Sequence, residues 1–166
     1  MKGRIAALAL VLAGVVGGAA MYYLQVYAYY DRLPPRDTLR MQTRSGAQDL
    51  PITGFAGIDS DSSPIRFRAC FNLPDLPEGA IAHDDPQPLN APGWFDCFDA
   101  GQLADDLGAG QARAYLVDEN FRFGFDRVMA RYLDGRSFLW HQMNACGEAH
   151  FDGRTMPQGC PPAPES

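Results

Sequence analysis

The sequence predicts an α+β protein, in which an N-terminal transmembrane helix is followed by a small, mainly antiparallel β domain with one short helix. Three observations support this prediction. A long uncharged, apolar stretch occupies the N-terminus, runs with a two-residue alternation of apolar side chains follow it, and a short segment with helix-capping residues lies between those runs. The 166 residues leave material for one domain of ordinary size beyond the apolar stretch.

The N-terminal stretch has the composition of a membrane anchor. No charged residue lies between Arg4 and Asp31, and about 20 apolar residues in a helix cross the hydrocarbon layer of a bilayer. The small residues up to Ala20 also fit a signal peptide that is cleaved there, which is the alternative. Against cleavage, the apolar character continues through a tyrosine-rich segment that is typical of an interfacial aromatic belt: Tyr22, Tyr23, Tyr27, Tyr29 and Tyr30. We therefore expect an uncleaved transmembrane anchor over residues 1–30.

The rest of the chain divides into three predicted parts. Residues 31–49 are polar and include Pro34 and Pro35, which is typical of a juxtamembrane linker. We expect an ordered α+β domain over residues 50–160. The proline-rich residues 161–166 predict a disordered tail.

The patterning within this domain predicts hairpins and a helix. Residues 52–58 are strand-like and residues 65–71 show a two-residue alternation, and together they predict one hairpin. Residues 72–92 carry five prolines and predict a long surface loop. Asp99 is the predicted N-cap of a helix that ends near Gly108.

A second hairpin is predicted near the C-terminus. The dipeptide Asp134-Gly135 lies between two extended runs, residues 126–133 and 136–143. An Asp-Gly pair in this context favours a two-residue type I′ turn. Such a turn places Val128 opposite His141 on one face of the sheet.

The cysteines all follow the apolar stretch and are Cys70, Cys97, Cys146 and Cys160. An even number of cysteines in an exported domain indicates two disulfides, for which three connectivities are possible. We favour the nearest-neighbour scheme, which joins Cys70 to Cys97 and Cys146 to Cys160. The second bridge would close a loop of about 15 residues and would contribute on the order of 3 kcal/mol in the chain-entropy model.

An alternative to structural disulfides concerns the C-terminal region. Side chains that soft metals such as copper prefer fall close together there, namely His141, Met143, Cys146, His150, Met156 and Cys160. A disulfide at Cys146 would remove the thiolate that such a metal site needs. The metal hypothesis and the disulfide hypothesis therefore exclude each other.

The sequence predicts no catalytic residue. His83 with Asp84 and Asp85 could supply a base with an orienting carboxylate, but we favour the interpretation that they belong to a solvated loop. His141 lies within a strand and is interpreted as a buried strand histidine. No nucleophile elbow, phosphate-binding loop or dinucleotide fingerprint occurs. Lys2 is the only lysine, which excludes Schiff-base chemistry in the β domain.

The charge of the chain argues against nucleic-acid binding. Beyond Tyr30 the sequence has twelve arginines and twenty acidic residues, a formal net charge of −8. Neutralising the phosphates of a nucleic acid requires a basic surface.

Four motifs carry a resemblance to a known family. They are Gly124-Phe125-Asp126-Arg127-Val128, Asp134-Gly135-Arg136, Trp140-His141-Gln142-Met143-Asn144-Ala145-Cys146-Gly147 and Phe151-Asp152-Gly153. With these motifs the chain resembles an uncharacterised alphaproteobacterial family of short, single-pass, membrane-anchored proteins of unknown function. The resemblance extends over the full chain, anchor included, and implies no activity.

We expect a non-enzymatic, membrane-anchored periplasmic accessory, assembly or scaffold protein. Its single span would lie in the inner membrane, with the C-terminal domain in the periplasm. The alternative is a periplasmic copper-handling or thiol-redox protein that uses the C-terminal Cys/His/Met cluster. We expect no cofactor, and the expected partners are the membrane and a protein of the cell envelope.

Overall fold

A computed structural model describes residues 2–164 of the chain. The chain divides into two compact units, one over Met1–Tyr30 and the other over Asp31–Ser166. The predicted tail extends to residue 166, so its last two positions lie outside the described residues.

The first unit is a long apolar helix. Helix α1, Lys2–Tyr23, continues as a π-helical segment, Leu24–Ala28. The stretch Gly3–Ala28 has a mean hydropathy of 2.2 and is long and apolar enough to cross a membrane. At a rise of 1.5 Å per residue, its 26 residues span about 39 Å, which exceeds the roughly 30 Å of a hydrocarbon layer.

The second unit is an antiparallel sheet with short helices, which confirms the predicted α+β class. Its strands are β1 (Asp31–Arg32), β2 (Thr38–Thr43), β3 (Gly46–Pro51), β4 (Thr53–Asp59), β5 (Arg68–Asn72), β6 (Ile81–Ala82), β7 (Ala112–Arg122), β8 (Phe125–Tyr132) and β9 (Arg136–Met143). Its helices are α2 (Ala100–Gly108) and α3 (Ala145–Phe151). Within the described residues, the main sheet has the order β1-β4-β5-β9-β8-β7-β6, and β2 pairs with β3 in a separate ladder.

The segment 31–49 is not the linker that we expected. It contributes β1, β2 and most of β3 to the second unit. In β2 the side chains of Leu39, Met41 and Thr43 are buried, whereas the alternating positions are exposed. The outward-facing polar residues hide this two-residue period in the sequence, and the prediction of a linker was therefore wrong.

The β2–β3 hairpin covers one face of the main sheet. A core of buried side chains lies between them and consists of Leu39, Met41, Leu50, Ile52, Phe67, Ala69, Phe71, Leu73, Val117, Met129 and Leu139. Full burial of a valine, leucine, isoleucine, phenylalanine or methionine side chain stabilises a fold by about 1.5–3 kcal/mol. The hairpin is therefore an integral part of the domain.

Helix α2 lies on the opposite side of the sheet. It begins where predicted, because the side chain of Asp99 accepts a hydrogen bond from the backbone N–H of Gln102 at 3.0 Å. A buried hydrogen bond of 2.5 Å from the hydroxyl of Tyr132 in β8 to Asp106 ties the helix to the sheet. Phe98 packs edge-on against the ring of Trp140.

The β8–β9 hairpin differs by one residue from the predicted register. Val128 pairs with Trp140, and His141 pairs with Arg127. The loop has three residues, with a hydrogen bond of 3.1 Å from the Gly135 N–H to the Tyr132 carbonyl and a φ of +92° at Gly135. This is a type I turn followed by a left-handed glycine, the next most common hairpin after the two-residue turn. A shift of one residue exchanges the faces of all side chains in the strand.

Helix α3 was not predicted. The side chain of Asn144 caps it by accepting a hydrogen bond from the Gly147 N–H at 3.0 Å. At Gly147 the helix backbone touches the backbone of Gly124 so closely that a Cβ atom would overlap the Gly124 carbonyl oxygen. Two glycines are thus required where the helix meets the turn between β7 and β8.

Candidate functional site

His141 in β9 is buried between two aromatic rings. Its ring centroid lies 4.5 Å from that of Phe67 and 4.0 Å from that of Phe121. Its Nδ1 lies 2.8 Å from the carbonyl oxygen of Pro64, and its Nε2 accepts a hydrogen bond from Nε of Arg127 at 3.0 Å. Because a carbonyl oxygen can only accept, Nδ1 carries the hydrogen and the imidazole is neutral.

The surroundings lower the pKa of His141 to about 3. Burial is the largest cause, and the positive charge of Arg127 adds to it, while the hydrogen bond to Pro64 opposes the shift. A histidine with this pKa and with both ring nitrogens engaged is a poor general base at neutral pH. His141 is therefore a buried strand histidine.

The residues of the metal hypothesis are His141, Met143, Cys146, His150 and Met156, and the two histidines among them lie in different surroundings. Cys146 is bonded to Cys160, so no thiolate is present at this position. The ring of His150 contacts Phe123 and Phe151, away from the partners of His141. Over residues 2–164, no group of three or more His, Cys, Asp or Glu side chains is arranged to hold a metal ion.

The disulfides link helices to other parts of the fold. Cys70 in β5 is bonded to Cys97, which precedes α2, and Cys146 in α3 is bonded to Cys160. This is the nearest-neighbour pairing that the sequence favoured. No cysteine is free in the part of the chain that the structure describes.

A polar pocket of about 330 Å³ lies between the proline-rich loop, β9 and the start of α3. Its lining includes the histidine and carboxylate of the loop that the sequence singled out, His83 and Asp85. The other lining residues are Gln87, Glu119, Asn120, Asp126, Gln142, Met143, Asn144, Ala145, Cys146 and Glu148. The pocket therefore gathers residues from distant parts of the sequence.

Gln142 holds the proline-rich loop against β9. Its side-chain oxygen accepts hydrogen bonds from the Gln87 N–H at 2.9 Å and from the Trp140 indole at 3.0 Å. Its amide nitrogen donates to the Asp85 carbonyl at 3.0 Å and lies 3.1 Å from Nε2 of His83. Since an amide nitrogen only donates, Nε2 of His83 is the acceptor here. The loop is thus fixed by side-chain hydrogen bonds.

Asp126 organises the other wall of the polar pocket. Its Oδ1 accepts hydrogen bonds from the Asn120 N–H at 2.8 Å and from the side-chain amide of Asn144 at 2.7 Å. Asn120 has a φ of +48°, a left-handed conformation that asparagine tolerates better than most residues. These three residues position one another, and such a network keeps the shape of the pocket fixed.

A second cavity, of about 170 Å³, lies between the β2–β3 hairpin and the main sheet. We call it the arginine cavity. Its charged lining residues are Arg36, Arg40, Asp59 and Arg127, and the others are Leu33, Thr38, Leu39, Ile52, Phe55, Phe67 and Leu139. Arg36 and Arg127 each lie over an aromatic ring, with guanidinium carbons 5.7 Å from the Phe55 centroid and 5.5 Å from the Phe67 centroid.

Burial is the largest cause of the pKa shifts of Arg127 and Asp59 in the arginine cavity. Burial lowers the pKa of Arg127, and the like charge of Arg36 lowers it further, while Asp118 opposes the change. Burial likewise raises the pKa of Asp59, against the attraction of Arg127. The cavity therefore holds incompletely compensated charge in a partly buried setting.

The sequence did not identify the residues that organise these two cavities. Arg127 and His141 are cross-strand neighbours in the register that the three-residue loop sets. The predicted register places Val128 opposite His141 instead. Arg36 and Arg127 are far apart in the chain and meet through the hairpin that was taken for a linker. Asn144 before a helical segment was a usable signal for an N-cap.

The fold and these cavities define a disulfide-containing α+β domain that follows an apolar N-terminal helix. The chain belongs to a family of unknown function (DUF6446), whose model matches residues 38–161. The match begins with β2 and therefore includes the hairpin that covers the sheet. No curated protein and no solved structure matches the chain.

Proposed function

We propose that this protein is a single-pass inner-membrane protein with an uncleaved N-terminal signal anchor. Residues 1–30 form the anchor, and the domain that follows lies in the periplasm. The domain is a non-enzymatic accessory, assembly or scaffold component that holds a binding surface near the membrane. The likeness to short membrane-anchored proteins of alphaproteobacteria is part of this proposal.

The observation that carries the proposal is the combination of an apolar helix with disulfides. The helix Gly3–Ala28 is long enough for one span. Disulfides persist in oxidising compartments such as the bacterial periplasm and are rare in the cytosol. The bonds at Cys70–Cys97 and Cys146–Cys160 therefore favour export of the domain.

The side chains of the polar pocket support a role in binding. Gln142, Asp126 and Asn144 are engaged in hydrogen bonds that fix loops and a helix. His141, which does not line this pocket, is held neutral by its surroundings and has no lone pair left for a proton from a substrate. Rigid polar groups of this kind suit recognition, whereas an acid or base in catalysis needs a pKa near the working pH.

Topology and redox state are tested together in cells. A polyethylene-glycol maleimide is added to membranes with and without prior reduction, and the shift in gel mobility counts the reactive thiols. We expect none before reduction and four after it. Four reactive thiols without reduction would contradict export. The intact mass distinguishes the anchor from a signal peptide, because a chain that begins after Ala20 would contradict the anchor.

A charge in the apolar helix tests membrane anchoring directly. Val15→Arg places a charge at the middle of the span, at a cost of about 2.5–3.5 kcal/mol on insertion scales. We expect this chain to move from the membrane fraction to the soluble fraction or to be degraded, while Val15→Leu stays in the membrane. Equal membrane retention of both variants would contradict the single span.

The accessory role is tested by capture of a tagged full-length chain from crosslinked membranes. The matched control is a tagged chain that ends at residue 37 and so retains the apolar helix but lacks the matched family region. We expect an envelope protein to be enriched with the full chain in a constant ratio and not with the control. Recovery of the chain alone, or of the same proteins with both chains, would contradict the scaffold role.

A further inference from the structure

The arginine cavity has a cationic side and an apolar side. Arg127 is half-buried, with 29% of its side chain exposed, and it is the innermost of the cationic groups. The buried side chains of Phe67 and Leu139 line the same cavity. A ligand that fits both sides must carry negative charge at one end and apolar carbon at the other.

Among the described residues, no carboxylate lies within hydrogen-bond distance of Arg127, although Asp118 and Asp59 attract its charge from farther away. Its Nε donates to a neutral imidazole, that of His141, at 3.0 Å. Its Nη1 lies 3.8 Å from a carboxylate oxygen of Asp118, a distance too long for a direct hydrogen bond. A half-buried guanidinium in this position gains from an additional oxyanion within hydrogen-bond distance.

The other charged groups that line the cavity are Arg36, Arg40 and Asp59. Arg36 is exposed and forms no ion pair within residues 2–164, whereas Arg40 is paired with Asp49 at 3.5 Å. The carboxylate of Asp59 accepts a hydrogen bond from the Ser60 N–H at 2.8 Å. The mutual repulsion of Arg36 and Arg127 is the interaction that a bound anion would relieve.

The volume of the cavity limits the size of the anion. About 170 Å³ corresponds to between five and six water volumes, at roughly 30 Å³ each. Pockets for drug-sized ligands start at about 300 Å³. A carboxylate leaves more room for carbon atoms against the apolar side than the larger phosphate group does.

We infer that the arginine cavity binds a small amphiphilic carboxylate, with its head group between Arg36 and Arg127 and the start of its apolar chain against Phe67 and Leu139. The inference goes beyond the proposed function and does not depend on it, because binding can be measured whatever the compartment of the domain.

Calorimetric titration of the full-length chain in dodecyl maltoside with octanoate tests the inference. We expect saturable binding of one octanoate per chain, and binding at least tenfold weaker for Arg36→Gln, since a hydrogen bond to a charged group is lost. The matched control is Arg154→Gln, which changes an exposed arginine paired with Asp152, and it should bind as the unchanged chain does. Arg36 is exposed and contacts the half-buried ring of Phe55 from the outside, so its replacement should leave the buried core intact.

Acetate and octanol test the carboxylate and the apolar chain of the ligand separately. We expect neither to show saturable binding at concentrations that saturate octanoate. Binding of either one as tightly as octanoate would overturn the inference, as would affinities within twofold for Arg36→Gln and the unchanged chain. In addition, octanoate labelled with ¹³C at the carboxyl group should titrate at a lower pH when bound. A bound carboxyl that titrates as it does in protein-free micelles would also overturn the inference.

Discussion

Protonation of His141 makes the stability of the domain depend on pH. In the unfolded chain its pKa is near 6.5, and in the folded protein burial and Arg127 lower it to about 3. Between these values the unfolded chain binds a proton that the folded protein does not. The contribution is therefore fully present above pH 6.5 and is lost as the pH falls toward 3.

The size of this effect follows from the separation of the pKa values. At pH 4.5 the unfolded chain is two pH units below its pKa, while the folded imidazole is still mostly neutral. At about 1.4 kcal/mol per unit, the free energy of unfolding falls by about 3 kcal/mol relative to pH 7.5. That amount is a large part of the 5–15 kcal/mol typical of a domain.

Urea denaturation at pH 7.5 and pH 4.5 measures this change, with the fluorescence of the buried Trp140 as the signal. Carboxylates also titrate in this range, so the comparison is made with His141→Gln, whose amide can bond both Arg127 and Pro64 without titrating. We expect the unchanged chain to lose about 3 kcal/mol more than this variant. His150→Gln, at an exposed position, serves as the control and should lose as much as the unchanged chain.

The same pH dependence in His141→Gln and in the unchanged chain would refute the reasoning. So would a midpoint near 6.5 for the His141 ring in a proton NMR titration of the folded protein. Either result would mean that the imidazole is accessible to protons, and its enclosure by Phe67 and Phe121 would then not hold in solution.

Three further changes probe the packing, each by urea denaturation. Gly147→Ala should destabilise the fold by about 3 kcal/mol, because the new methyl group meets the backbone of Gly124. An unchanged free energy of unfolding would contradict the close contact. Tyr132→Phe should cost about 1–2 kcal/mol, since the buried carboxylate of Asp106 on α2 keeps its hydrogen bond from Gln102 but loses the one from Tyr132. Unchanged stability would show that this hydrogen bond does not hold the helix. Replacement of Cys146 and Cys160 by alanine should cost about 3 kcal/mol for a separation of 14 residues; loss of the Cys70–Cys97 bond in the same variant would invalidate the comparison.

The sequence was sufficient where the determinants are local. The N-cap at Asp99 and the end of α2 at Gly108 depend on a few neighbouring residues, and both were predicted. The pairing of β4 with β5 was predicted from one strand-like run and one run with a two-residue alternation. The apolar helix follows from composition alone.

The sequence was insufficient where a shift of one residue in the pairing of two strands decides which side chains are buried. Asp134-Gly135 suits a two-residue turn, and only the hydrogen bond from Gly135 to Tyr132 selects the three-residue loop. The choice depends on which faces of β8 and β9 can be buried, and that is set by the rest of the sheet. The β2–β3 hairpin was missed because arginine and glutamine at its exposed positions resemble a linker in composition.

The cavities could not be predicted because each combines distant segments. Gln142 and Asp85 meet across 57 positions of the chain, and Gln142 has no local feature that marks it. The arginine cavity requires the β2–β3 hairpin to cover Arg127. Once the register is known, Arg127 and His141 fall on one face as cross-strand neighbours, and their contact then follows.

The position of β9 in the sheet has a consequence for the order in which the domain can form. This strand joins β5 to β8, so it connects the N-terminal strands to the C-terminal ones, yet it is the last strand in the sequence. A chain made from its N-terminus presents β5 long before its partner β9 exists. One edge of β5 therefore stays open until residue 143 has left the ribosome or the translocation channel. An open edge of this kind is a site at which strands of other chains can pair.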